Sequence, residues 1–117
     1  MTSQTLTPTP LVPNGGGLDL TAQLATPTNV NLTWQNTGYE FLAVAAGAAS
    51  ETVTVDIGVT VLGQTVADFS AVTLTDTHVV LFGPFSAQVE TPGTNTAEVT
   101  LSTTTSIMVA LLKFTGV

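Results

Sequence analysis

The sequence predicts an all-β chain: an antiparallel β-sandwich or jelly-roll-like barrel of about seven to eight short strands, with an extended N-terminal arm. Three observations carry this. Apolar residues alternate with polar ones or form short continuous runs, and nowhere recur at helical spacing. About a fifth of the chain is threonine, which favours strands and wets their exposed faces with hydroxyls. Gly, Pro and Asn punctuate the runs at close intervals, as strand-to-strand turns require. The length of 117 residues allows one core and one domain.

In chain order, residues 1–17 read as the arm and residues 18–117 as a single β-sandwich domain. TLTPTPLVPNGGG prevents helix, disfavours a ladder strand and favours an extended polyproline-like conformer. The arm is either a loose leader or a segment laid over a neighbouring subunit. Leu6, Leu11 and Val12 supply apolar anchors for the second role, and Gly15-Gly16-Gly17 a hinge. Leu18 to Ala25 reads as a first strand, and VNLTW as a second with Val30, Leu32 and Trp34 on one face. Gln35 to Gly38 is a turn in which the Asn36 side chain bonds its own backbone and Gly38 takes positive φ.

The clearest stretch follows, GYEFLAVAAGAASETVTVDIGVTV over Gly38–Val61. Tyr39 to Ala46 is apolar on both faces, Phe41, Ala43 and Ala45 on one and Leu42, Val44 and Ala46 on the other, as in a strand covered on both sides. Val53, Val55, Ile57, Val59 and Val61 then alternate with polar or small residues, a half-buried strand. The two halves read as a hairpin closed by Gly47 to Ser50, with Trp34, Tyr39 and Phe41 grouped in or beside the core. Gly63 to Thr65 reads as a loop, Val72 and Leu74 as a short strand, and Thr75 to Thr77 as a turn. HVVLFGPF reads as a buried strand, interior up to Phe82 and ended at Pro84. After the Pro92-Gly93 turn, Ala97–Leu101 and Thr105–Phe114 make the last strands. In the terminal one Ile107, Val109 and Leu111 share a face with Lys113, and Met108, Ala110, Leu112 and Phe114 share the other, which places it centrally or at a subunit contact.

Charge excludes several classes of partner. One lysine and no arginine stand against eight carboxylates, a net charge of -7. Nucleic acid and anionic membrane surfaces both draw on basic side chains, so neither is expected as a partner. No apolar run reaches the length of a bilayer span, and MTSQTLTPTPLVPN has neither the basic nor the apolar region of a signal peptide. Without cysteine there is no disulfide and no thiolate metal site. Charged residues are 8% of the chain against 44% hydrophobic ones, which points to a surface covered by assembly.

The inventory for catalysis is thin, and the chain is expected not to be an enzyme. His78 is the only histidine, and its place before an apolar run marks a strand-entry residue. Asp19, Glu40, Glu51, Asp56, Asp68, Asp76, Glu90 and Glu98 are scattered singly, without the spacing of a calcium loop. No phosphate-binding glycine motif is present. No catalytic, cofactor-binding or metal residue is assigned, and no cofactor is expected.

A Pro- and Gly-containing leader, TWQNTGYEFLAV, VTVDIGV, VVLFGPF and a hydrophobic terminal strand together resemble small head proteins of tailed bacteriophages, over about residues 14–114. The resemblance implies a capsid decoration (cement) or minor capsid protein: a β-rich homotrimer on the outer surface of the virion capsid, bound to the major capsid protein over capsomer junctions and assembled in the host cytoplasm. Leu6, Leu11, Val12, Met108, Leu112 and Phe114 are the expected subunit and shell contacts. The long TLTPTPLVPN leader departs from that group. The alternatives are a carbohydrate- or receptor-binding adhesion domain stacking sugars on Trp34 or Tyr39, and a tail or connector subunit of the same virion.

Overall fold

A computed structural model describes residues 3–11, 17–47, 51–56, 60–61, 64–65, 72–75, 77–85, 90–91 and 95–114. In chain order they form β1 (Gln4–Thr5), β2 (Thr9–Leu11), α1 (Leu20–Gln23), β3 (Asn31–Gln35), β4 (Glu40–Ala46), β5 (Thr52–Val55), β6 (Thr60–Val61), β7 (Gln64–Thr65), β8 (Val72–Thr73), β9 (Val79–Phe82), β10 (Glu90–Thr91), β11 (Thr96–Leu101) and β12 (Ile107–Phe114). The first sheet runs β1-β3-β11-β5-β8, with β10 also on β11. The second runs β2-β12-β4-β9, and β6 and β7 make a separate ribbon. The expected all-β sandwich is present.

The alternation in the sequence explains the core. Leu32 and Trp34 from β3, Val53 from β5, and Ala97, Val99 and Leu101 from β11 meet Leu42, Val44 and Ala46 from β4 and Ile107, Val109 and Leu111 from β12. Every one of these is buried, and each large aliphatic side chain removed from water stabilises the fold by about 1.5–3 kcal/mol. Leu74 and Phe85 fill the remaining space, Phe85 edge-on to Trp34 with centroids 5.0 Å apart. The Asn36 to Gly38 turn forms as expected: Gly38 has φ +92° and its N–H reaches the Asn36 Oδ1 at 3.4 Å.

Several expectations are corrected. β4 and β5 are not a hairpin: β4 is bonded on both edges, to β12 and β9, whereas β5 lies in the opposite sheet between β11 and β8. Long-range pairing of two apolar strands outweighs the local turn. The half-buried strand stops at Val55, and Thr60–Val61 pairs instead with Gln64–Thr65, so the expected loop there contributes a strand. Leu18–Ala25 contains a single helical turn because the Asp19 side chain caps it, accepting from the Ala22 N–H; only Ala25 bridges to Val109 as a strand would. The Trp34 ring packs on Phe85, while Phe41 stacks outside the core on Phe114 and Tyr39 is exposed. Among the described residues β9 is an edge strand, with Val79 50% and Leu81 55% exposed, not an interior one.

The sheets are mixed because the N-terminal segment pairs parallel to its neighbours. Gln4 and Thr5 lie beside Leu32 and Thr33, and Thr9 to Leu11 beside Leu112 to Phe114, so residues 3–11 cross from one sheet to the other on their own chain. The prolines that argue against a ladder are accommodated because an edge strand bonds on one side only, where Pro10 needs no donor. Ile57 to Val59, Val66 to Ala71, Pro92 to Thr94, Val12, Gly15 and Gly16 lie outside the described residues.

Candidate interaction surface

The two sheets differ on their outer faces. On the first, alternation leaves Asn31, Thr33 and Gln35 beside Thr96, Glu98 and Thr100, with Thr54 and Asp56 beyond. The Thr100 hydroxyl lies 2.8 Å from Asp56 Oδ2 and 3.2 Å from Asn31 Oδ1. That face is wet and partly acidic. On the second sheet β4, β9 and β12 are apolar on both sides, so their outward positions are apolar too.

Register sets those outward side chains in rows across the second sheet. Met108, Ala45 and Val79 make one row, Ala110, Ala43 and Leu81 the next, Leu112, Phe41 and the polar Thr9 the third, and Phe114 with Leu11 the last. None of them carries a charge. Ala43, Ala110 and Leu112 are buried, whereas Met108 and Phe114 remain 40% and 39% exposed. The Phe41 and Phe114 rings tilt against each other at 4.8 Å and stiffen the β2 end. A cleft of about 270 Å³ opens at the other end, lined by Thr26, Ala45, Ala46, Gly47, Ser106, Ile107 and Met108. Its lining holds no titratable side chain, and so offers binding by shape and apolar contact but no acid or base.

At the start of β4, on the core side of the same sheet, the chain buries a carboxylate. Glu40, 1% exposed, accepts from the Thr37 N–H and hydroxyl at 2.7 Å each, and Lys113 Nζ lies 3.7 Å away. Burial pushes the Glu40 carboxyl up, but the Thr37 bonds and the Lys113 ammonium outweigh it and hold the carboxyl below its ordinary value. A depressed carboxylate stabilises the fold fully above the unfolded value and loses that contribution as pH falls through the folded one. Glu40→Ala is therefore expected to cost about 2 kcal/mol at neutral pH, the worth of bonds to a charged acceptor. Urea titrations repeated at decreasing pH should show the gap to wild type shrinking once pH passes below 4.5, the ordinary value. A gap that widens in acid would contradict the assignment.

The sequence-predicted contacts divide. Met108, Leu112 and Phe114 share the outer face, as their alternation requires, although Leu112 is buried. Leu11 borders them through its pairing with Phe114. Leu6 instead packs against the core, its N–H donating to the Thr33 carbonyl at 2.8 Å. Val12 lies outside the described residues. Val79 and Leu81 belong to the face but were expected inside, because a short run apolar on both sides reads alike for a buried strand and an exposed edge. Among the described residues no three His, Asp or Glu side chains converge on one point, and His78 is an exposed turn residue whose N–H donates to the Thr75 carbonyl. No protein-family model matches the chain, and no characterised protein or solved structure shows significant similarity to it.

Proposed function

We propose that the chain is a structural, non-catalytic assembly subunit, a decoration (cement) subunit that seats the outer face of its second sheet on the major capsid protein of a tailed-phage head. One observation carries this: the described rows of that face hold no charged side chain, while the opposite face of the sandwich bears hydroxyls, amides, Asp56 and Glu98. Docking the apolar face desolvates no ion, so contact area translates into binding with little electrostatic cost. The acidic, hydroxyl-rich face is left to the solvent outside the particle, away from packaged DNA that would repel it. Because such a subunit binds the assembled shell and not the free capsid protein, its contacts add to particle stability by linkage. The burial of Trp34 withdraws that ring from sugar stacking, and the adhesion reading is left with Tyr39, 51% exposed, as its one named platform.

Co-sedimentation with heads assembled from the major capsid protein of the same virus tests the proposal. Wild type should pellet with the heads. The double variant Met108→Glu, Phe114→Glu should keep the wild-type circular dichroism and lose at least about 30-fold in affinity, the weight of an interface hot spot. Equal binding by the variant, or none by wild type, would refute it.

A further inference from the structure

Among the described residues the second sheet ends on an unprotected edge. Natural sheets blunt their edges with proline, with charge, or by keeping the edge strand very short. Here β1 and β8 are two residues each, and β2 carries Pro10 in its middle. β9 differs: it is four residues, Val79-Val80-Leu81-Phe82, with neither proline nor charge, and it is the last strand of its sheet among the described residues.

The direction of its free hydrogen-bonding groups follows from its partner. The Ala46 N–H donates to the His78 carbonyl at 3.2 Å, which aims His78, and by alternation Val80 and Phe82, at β4. The N–H and C=O groups of Val79 and Leu81 therefore point outward. We infer that this edge pairs with the same edge of a second copy, β9 antiparallel to β9 across a two-fold axis at Val80. Val79 of one copy then faces Leu81 of the other twice over, and each pair exchanges both of its bonds.

Two arguments make the occupant a second copy. Addition of β9 to a different edge of another copy would need a second receptive edge, and the other described edges are short or hold a proline. Self-pairing uses the one receptive edge on both sides and closes as a dimer, the commonest symmetry of soluble oligomers. The second argument is size, and it rests on the docking role proposed above. The four strands of the second sheet, of three, eight, seven and four residues, present about 350 Å² per face at ~16 Å² per residue. A standard interface takes about 800 Å² from each partner. Register places Val79 and Leu81 of both copies on the same outer side, so pairing fuses two undersized apolar faces into one of nearly that area. The two-fold dimer replaces the trimer that the phage resemblance implies.

Sedimentation equilibrium on the full chain across a concentration series should give twice the 12.0 kDa chain mass. Leu81→Pro removes an outward donor without touching β4 and should give a monomer with unchanged circular dichroism. Should that variant fail to fold, Val80→Cys decides independently. The chain has no cysteine, and non-bonded antiparallel partners sit about 4.5 Å apart at Cα, within disulfide reach. Oxidised Val80→Cys should therefore run as a covalent dimer, while Thr54→Cys on the opposite sheet should not. A monomeric or trimeric wild type, a dimer that survives Leu81→Pro, or equal cross-linking at both cysteines would overturn the inference. A dimer that ignores phage heads would leave it intact and remove the capsid reading, whereas a head-binding monomer would do the reverse.

Discussion

Trp34→Ala is expected to destabilise the fold by about 4 kcal/mol, close to half the stability of a typical small domain. The indole is fully buried at the centre of the first sheet's inner face. Its cross-strand neighbour is Ala97, a small residue opposite the largest, so the ring occupies the volume above both strands. Phe85 meets it edge-on, and Phe85 is itself held by its carbonyl, which accepts from the Asn36 Nδ2 at 2.9 Å. Truncation thus opens a cavity among side chains whose backbones are fixed by ladder bonds, a setting in which relaxation recovers little. The indole Nε1 has no hydrogen-bond partner among the described residues, so the loss comes from volume and dispersion. Urea unfolding followed by far-ultraviolet circular dichroism measures it. A loss under about 1 kcal/mol, the range of surface substitutions, would place the ring outside the core.

Sequence periodicity located every strand of four or more residues, β3, β4, β5, β9, β11 and β12, because one residue of slip would reverse all their side chains. It read β1 and β2 as an arm, β7 as a loop and the end of β10 as a turn. Pairing was harder to read. Nothing local tells Ala46 that its chain continues into the other sheet; that follows from the competition between a four-residue turn and two full ladders on β4. The cap at Asp19 was legible in principle, since an acidic residue before Leu-Thr-Ala-Gln is a helix-start signal, but the alternation of Leu18, Leu20 and Ala22 masked it. The outer face was half legible. Met108, Leu112 and Phe114 were grouped by alternation, whereas Val79 and Leu81 joined them only through the register of β9 on β4. A face is a property of several strands at once, and one-dimensional pattern reports on single strands.

Gly83→Ala is expected to cost about 3 kcal/mol, combining backbone strain with a steric clash. Gly83 follows β9 directly and has φ +123°, a region that L side chains rarely enter. An alanine Cβ there would stand 2.8 Å from the Glu40 carbonyl oxygen and 3.3 Å from the Phe41 Cα, both backbone atoms of the strand that β9 pairs with. Neither can swing aside as a side-chain tip would, so β9 and the start of β4 must separate. Gly38 provides the comparison: its φ is +92°, yet an added Cβ would meet nothing within 4 Å. Gly38→Ala therefore carries the conformational cost alone, about 1 kcal/mol. Chemical denaturation of both variants isolates the contact as the difference between them. The expected order, Gly83→Ala worse than Gly38→Ala by about 2 kcal/mol, depends on the close approach of β9 to β4, and the reverse order would mean that the two strands do not meet as described. The same separation would displace Val79 and Leu81, so Gly83→Ala should also weaken self-association, and Gly38→Ala should not.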